Sequence, residues 1–234
     1  MTDDTKYLYG DKIGRVELIN HWGTDKMVVN AARVSFGQDS DKPLVAKDIK
    51  LIKYLIKHRH TSTLEHCGVT FKFTVPLYVR SQHHRHRTWS YNEISRRYTS
   101  EDIRFYEPKA FRTQHKSNRQ ASNEAELINP GWAPHTAFVL TDRISEHHED
   151  CLELYEGCLK LGMCREQARG VLPQNMYTQY YGTVNMNNLM KFISLRTHEG
   201  AQWEIQKVAE ACLDFARELW PETINAYDEV HNES

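Results

Sequence analysis

The thirteen residues from Arg85 to Arg97 constrain this chain more than any other stretch: Arg-His-Arg-Thr-Trp-Ser-Tyr-Asn-Glu-Ile-Ser-Arg-Arg. Four arginines, one histidine and one carboxylate stand there, with Ser90, Asn92 and Ser95 between them. No core absorbs that density of charge, because buried charge must be paired or bound to something. Any fold must bring this segment to a polar surface or cleft. The stretch has no lysine, although solubilising surfaces mix Lys with Glu. Arginine forks onto phosphate and carboxylate. Ser and Asn add short neutral donors. By residue type this is a set of groups for a flat, polar, anionic ligand. A solvated basic loop is the competing reading.

The chain has 234 residues, enough for one large domain with a real core. Basic and acidic residues number 30 and 31, for a net charge of −1. A chain living on nucleic acid usually carries a basic excess, and this one does not. That counts against a single-stranded nucleic-acid module, which would stack bases on Trp89, Tyr91 and Tyr98. No apolar run approaches a membrane span. The start, Met1-Thr2-Asp3-Asp4, does not read as a signal peptide. Five scattered cysteines without a Cys-x-x-Cys read as reduced thiols of a cytoplasmic protein. His60, Glu65 and His66 invite a metal reading, but the six-residue spacing of the histidines is not one helical face. No metal is expected.

Along the chain, Val16–Asn20 reads as a strand and Lys26–Val34 as a helix ending near Ser35. Asp41 is the expected N-cap of a helix that has Pro43 in its first turn and runs to Lys57. Val69, Phe71, Phe73 and Val75 alternate with polar residues, which predicts a half-buried strand. A helix from Leu77 to about His86 would follow, so that the arginine-rich stretch begins on a helix and continues into a loop. Gln114–Pro134 is polar and turn-rich and reads as a surface insertion. A long helix is expected over Thr136–Met163, with Phe138, Ile144, Cys151, Leu154, Tyr155, Cys158 and Leu159 as core. A short helix over Cys164–Gly170 would be capped by Gly170. Met176–Val184 favours a strand. Asn187–Leu195 reads as a helix ending at Arg196. The last long helix should open near Ala201 and stop before Pro221.

The spacing from Arg85 to Arg97 resembles the signature of the flavin-dependent thymidylate synthases, Arg-His-Arg-x-x-Ser-x-Asn-Glu-x-Ser-x-Arg. Arg85, His86, Arg87, Ser90, Asn92, Glu93, Ser95 and Arg97 fill every fixed position. A family His-x-Thr-Pro-x-Glu-His element is matched at His60, Glu65 and His66, with Ser62 for Thr and Thr63 for Pro. Later blocks follow in family order: Arg169 before Leu172-Pro173, Thr183-Val184-Asn185, Leu195-Arg196 and Ala201-Gln202-Trp203-Glu204. The resemblance covers roughly Ala31 to Trp220, apart from the insertion. This chain departs where many members have Arg, Asn and His, at Asn187, Lys191 and Gly200 respectively.

The resemblance implies one α/β domain of α+β type, with helices around a small, mostly antiparallel sheet. It implies reductive methylation of dUMP to dTMP, with methylenetetrahydrofolate giving the carbon, FADH2 the hydride and NADPH reducing the flavin. It implies a homotetramer with active sites shared between subunits, and no membrane or nucleic-acid partner. Residue by residue, the flavin would meet Ser35, Ser62, Glu65, Arg85, His86, Arg87, Glu93, Asn185, Asn187 and Lys191. The nucleotide would meet Gln82, His83, His84, Arg85, Glu93, Ile94, Ser95, Arg96, Arg97, Arg169 and Arg196. Arg196 matches the position that activates the uracil ring. Ser95 has Ile94 and Arg96 as chain neighbours and no spacing argument supplies it with a base, so it reads as a phosphate or ribose contact rather than a nucleophile.

Overall fold

A computed structural model describes residues 4–38, 40–127, 131 and 139–232. Its centre is strand β3 (Gly68–Pro76), in which Val69, Phe71, Phe73 and Val75 are all fully buried. The period-two alternation read in the sequence places these four on one face. Around β3 stand β1 (Thr5–Tyr7), β2 (Arg15–Trp22), β4 (Ser90–Glu93) and β7 (Tyr177–Asn185). The sheet order is β1-β2-β3-β7-β4, and every pair is antiparallel. The α+β class and the small antiparallel sheet are thus as expected.

Six helices share the core of this sheet: α1 (Asp25–Arg33), α2 (Ala46–Lys57), α3 (Leu77–His83), α6 (Met186–Arg196), α7 (Trp203–Leu219) and α8 (Pro221–Asn232). Phe215 of α7 packs on Phe71 at 5.6 Å between ring centroids. The indole of buried Trp220 donates to the Gly23 carbonyl at 3.1 Å. Helix α8 runs beyond the expected end of helical structure, because Pro221 reads as a stop. Proline equally suits a first helical turn. The Asp25 carboxylate then accepts from Glu222 N and Thr223 N and caps α8.

Helix α2 starts at Ala46, later than expected, and Asp41 is not its cap. The side chain of Asp48, three residues into the helix, accepts from Val45 N at 3.1 Å and pairs with Arg33 at 2.5 Å. Helix α3 ends at His83, short of His86. Tyr91 explains the stop: its hydroxyl donates toward the carbonyls of His83 and His86 at 3.0 and 3.1 Å. The expected loop after it is strand β4, paired with β7 from Ser90↔Thr183 to Glu93↔Tyr180. Gly170 caps nothing. It sits inside a 3₁₀ turn, Arg169–Val171, that follows α5 (Arg165–Ala168).

Helix α4 (Leu140–Lys160) corrects a core assignment. Among the described residues of its predicted apolar stripe only Tyr155 is buried, and Leu154 is 55% exposed. The helix meets a small cluster around Ala168, Leu172 and Met176, on which Cys158 and Leu159 are only partly buried, so the stripe forms the edge of a satellite cluster and not the main core. Thr136 and Phe138 lie outside the described residues. The predicted insertion holds part of a hairpin, β5 (Phe111–Gln114) and β6 (Ser122–Leu127), forming its own two-stranded sheet. Its residues 128–130 and 132–134 lie outside the described ones. Among the described residues no helix is long and apolar enough to cross a membrane.

Candidate active site

Strand β7 and the start of α6 bring the two ends of the site together. Gly182 of β7 lies under Trp89, and a Cβ there would stand 2.9 Å from the Phe73 ring and 3.1 Å from Trp89. Only glycine lets the signature turn lie this close to the sheet. Trp89 is 6% exposed, tilted against Phe73 and edge-to-face with His83 and Phe192. It offers no face to a nucleic-acid base.

Arg196 closes helix α6, and its Nε donates to His86 Nε2 at 3.0 Å. That bond makes His86 a neutral imidazole with its proton on Nδ1. Burial, then the Arg196 charge, lowers the His86 pKa to about 4. The terminal nitrogens of Arg196 have no partner among the described residues. Behind the pair, His83 is fully buried, with Nδ1 2.8 Å from the Tyr180 hydroxyl. Burial first, then His86, His84 and Arg196, hold His83 well below its usual pKa. His83 therefore faces an aromatic core. His84 packs on the Tyr91 ring at 4.1 Å.

Glu93 of β4 accepts from Arg80 Nε at 3.0 Å and from the Thr178 hydroxyl at 2.7 Å. Ser95 Oγ accepts from Arg97 N, and Arg97 lies over Tyr98. Arg85, Arg87, Arg97 and Arg169 are exposed, as is Ile94. Arg96 differs from its neighbours. It is 7% exposed and donates to the carbonyls of Glu101 at 2.6 Å and Asp102 at 3.4 Å, bracing the loop after the signature.

Five of the residues matched to the flavin, Ser62, Glu65, Asn185, Asn187 and Lys191, lie toward the other end of α6. Ser62 and Glu65 sit on a 3₁₀ turn, Thr61–His66. Glu65 Oε1 accepts from Asn187 Nδ2 at 2.8 Å. Asn185 Oδ1 caps α6 by accepting from Asn188 N at 2.9 Å. Lys191 reaches Asn188 Oδ1 at 3.4 Å and lines a cavity of about 590 Å³. Leu55, Leu64 and Met190 form its apolar wall, and Lys57 and Arg59 also line it. Asn187 and Arg196 are nine residues apart, about 14 Å along the helix axis. Ser35 is exposed on a separate 3₁₀ turn, Val34–Phe36.

Sequence reasoning gave no role to several residues that hold this arrangement. Arg80 and Thr178 fix Glu93, and Tyr91 fixes the turn. Gln202 bonds to both Gln82 and Glu204. The Ala-Gln-Trp-Glu block was the one available signal for Gln202 and Glu204. Among the described residues no group of three His, Cys, Asp or Glu side chains could hold a metal ion.

A family model described as "Thymidylate synthase complementing protein" matches residues 17–222. A protein of Thermus thermophilus named flavin-dependent thymidylate synthase is 41% identical over 218 residues, which are 92% of this chain and 76% of that relative. This chain belongs to the flavin-dependent thymidylate synthase family. A flavin-dependent thymidylate synthase of Wolbachia pipientis wMel is 36% identical over 94% of this chain and 76% of its own. Among solved structures, a UMP/dUMP methylase, PolB from Streptomyces cacaoi bound with 5-Br UMP, superposes with a TM-score of 0.77. It is 31% identical, and the match covers 92% of this family member and 93% of that chain.

Proposed function

We propose that this chain is a working flavin-dependent thymidylate synthase that methylates carbon 5 of dUMP to give dTMP. Methylenetetrahydrofolate is the carbon donor and NADPH the reductant, in a cytoplasmic homotetramer whose subunits share active sites. The Arg196–His86 bond is the observation that carries the reading.

The residues present fit a flavin. The flavin is long, flat and anionic, and the matched residues spread along α6 from an apolar cavity edged by Lys57, Arg59 and Lys191 to the Arg196 end. Ser62, Glu65, Asn185, Asn187 and Lys191 would hold it at the first end, and Arg85, His86 and Arg87 at the second. When bound and reduced, it supplies the hydride.

Carbon 5 of uracil is a weak nucleophile, and the ring becomes electron-rich when the N3 proton is removed or polarised. A guanidinium beside the N3/O2 edge favours that anion, since an adjacent opposite charge lowers a pKa by ~1–3. Arg196 is built for this task. Its Nε is committed to His86, which leaves the two terminal nitrogens to face the ring. A carboxylate partner would have cancelled much of the charge. A neutral imidazole fixes the guanidinium and leaves the charge whole. Arg97, Arg169 and Ser95 would hold the 5′-phosphate, with Arg85, Gln82 and Glu93 around the nucleotide. Arg96 contributes through the loop it braces.

The test is dTMP formation by purified protein given FAD, NADPH, methylenetetrahydrofolate and dUMP. A visible flavin spectrum and labelled dTMP are expected. Protein that takes up flavin yet forms no dTMP overturns the reading.

A further inference from the structure

A chain of side-chain hydrogen bonds runs from the surface to Gln82, and its polarity is fixed at one end. Glu204 is 3% exposed. One of its oxygens accepts from an Arg112 terminal nitrogen at 2.7 Å, and the other accepts from Gln202 Nε2 at 2.8 Å. Arg112 is held in turn by the Ser122 hydroxyl and lies over the Trp203 ring. Because an ion-paired carboxylate only accepts, Gln202 must point its NH2 group at Glu204. Its carbonyl then faces Gln82, and Gln82 Nε2 donates to Gln202 Oε1. The Gln82 carbonyl oxygen is left over, with no partner among the described residues.

We infer that Glu204 is a positioning residue which, through Gln202, locks the Gln82 carboxamide with its carbonyl presented to the nucleotide's sugar hydroxyl. The inference rests on the proposed function, in which Gln82 lies beside dUMP. Away from the phosphate, dUMP carries only two hydrogen-bond donors, the N3 proton and the 3′-hydroxyl. Arg196 takes the N3 edge. The hydroxyl is the donor that remains for a carbonyl acceptor. A carboxamide is nearly symmetric in shape, so packing alone cannot choose between its two orientations. The buried carboxylate two residues along from Gln202 makes that choice.

The test reverses the relay. Gln82→Glu puts a carboxylate against the Gln202 carbonyl, and Glu204 prevents Gln202 from turning to donate. Adding Glu204→Gln lets Gln202 turn, so that its NH2 group holds the new carboxylate at position 82 and an acceptor oxygen again faces the ligand. Affinity for dUMP is measured by calorimetry on the FAD-loaded enzyme, with thermal melting on the same samples. Gln82→Glu should weaken dUMP binding about tenfold, near the value of one hydrogen bond. The double variant should return to within about threefold of wild type. 2′,3′-Dideoxy-UMP, which lacks the hydroxyl, should bind wild type and Gln82→Glu alike. Additive losses in the double variant, unchanged dUMP binding by Gln82→Glu, or an equal loss with the dideoxynucleotide overturns the inference. If Gln82→Glu does not fold, a double variant that also fails to fold and bind overturns it. Wild-type enzyme that binds no dUMP instead overturns the proposed function.

Discussion

Arg196 donates to a neutral imidazole, and that choice of partner sets two expectations at the level of single residues. An interaction stronger in the transition state than in the ground state shows mainly in turnover. Lysine keeps a charge at position 196 but loses the fork that can meet N3 and O2 together. Arg196→Lys should therefore lower kcat by ~10²-fold, comparable to removing one preorganised donor. Flavin reduction by NADPH, which needs no uracil anion, should survive in stopped-flow absorbance. The second expectation concerns acid. The His86 pKa is near 4 in the fold, against about 6.5 for an ordinary histidine. Below pH 6.5 the unfolded chain takes up a proton that folded His86 refuses, so stability falls from there toward pH 4. His86→Gln keeps a side-chain acceptor for Arg196 and removes this titration. Between pH 7 and pH 5 its Tm should fall less than that of wild type, with His83 common to both. Equal falls would assign the acid sensitivity to other groups.

Helix α6 carries matched residues at both ends, and its cap decides how firmly it stands. Asn185 Oδ1 accepts from Asn188 N, so Asn185→Ala should cost about 1 kcal/mol in a urea or thermal unfolding experiment. Asn185→Asp keeps an acceptor there and should cost little. Lys191 lines the cavity beside α6, where it places a positive charge that Asn187 and Gly200 do not supply. Lys191→Ala should raise the FAD dissociation constant measured by fluorescence quenching, and more so at low salt. Elements with strong periodicity were legible from the sequence: β3 by its alternation, and α7 by Ile205, Val208, Ala209, Cys212, Leu213 and Ala216, all buried except Leu213, which is half-buried. Strand β4 was not, because Ser90-Tyr91-Asn92-Glu93 is too polar to read as a strand and is held by pairing with β7. The α4 stripe looked like core because periodicity reports an apolar face and not what covers it. For the site, the signature spacing singled out His86, which the fold brings against Arg196. The Arg96 brace and the Gln82–Gln202–Glu204 chain depend on contacts between distant segments and left no mark in local spacing.

At the scale of the molecule, exposed Leu154, Leu161 and Leu195 leave apolar surface that one chain does not cover. Light scattering should find a single species of four chains, as the proposed shared active sites require. A monomer active in dTMP formation would remove that part of the reading. The connectivity of the sheet also has a kinetic meaning. His86 and Arg196 are 110 residues apart, and β3 meets β7 through pairs such as Gly68↔Asn185. Contacts of such long separation close slowly, because chain entropy is lost before the pairing repays it. A newly made chain can build β2, β3 and α3 while Arg196 is still unmade. The pair at the centre of the proposed chemistry cannot exist until the last third of the protein has been synthesised and has threaded β7 between β3 and β4. Uptake of flavin during refolding would then serve as a clock for that late step, lagging behind the first appearance of helix.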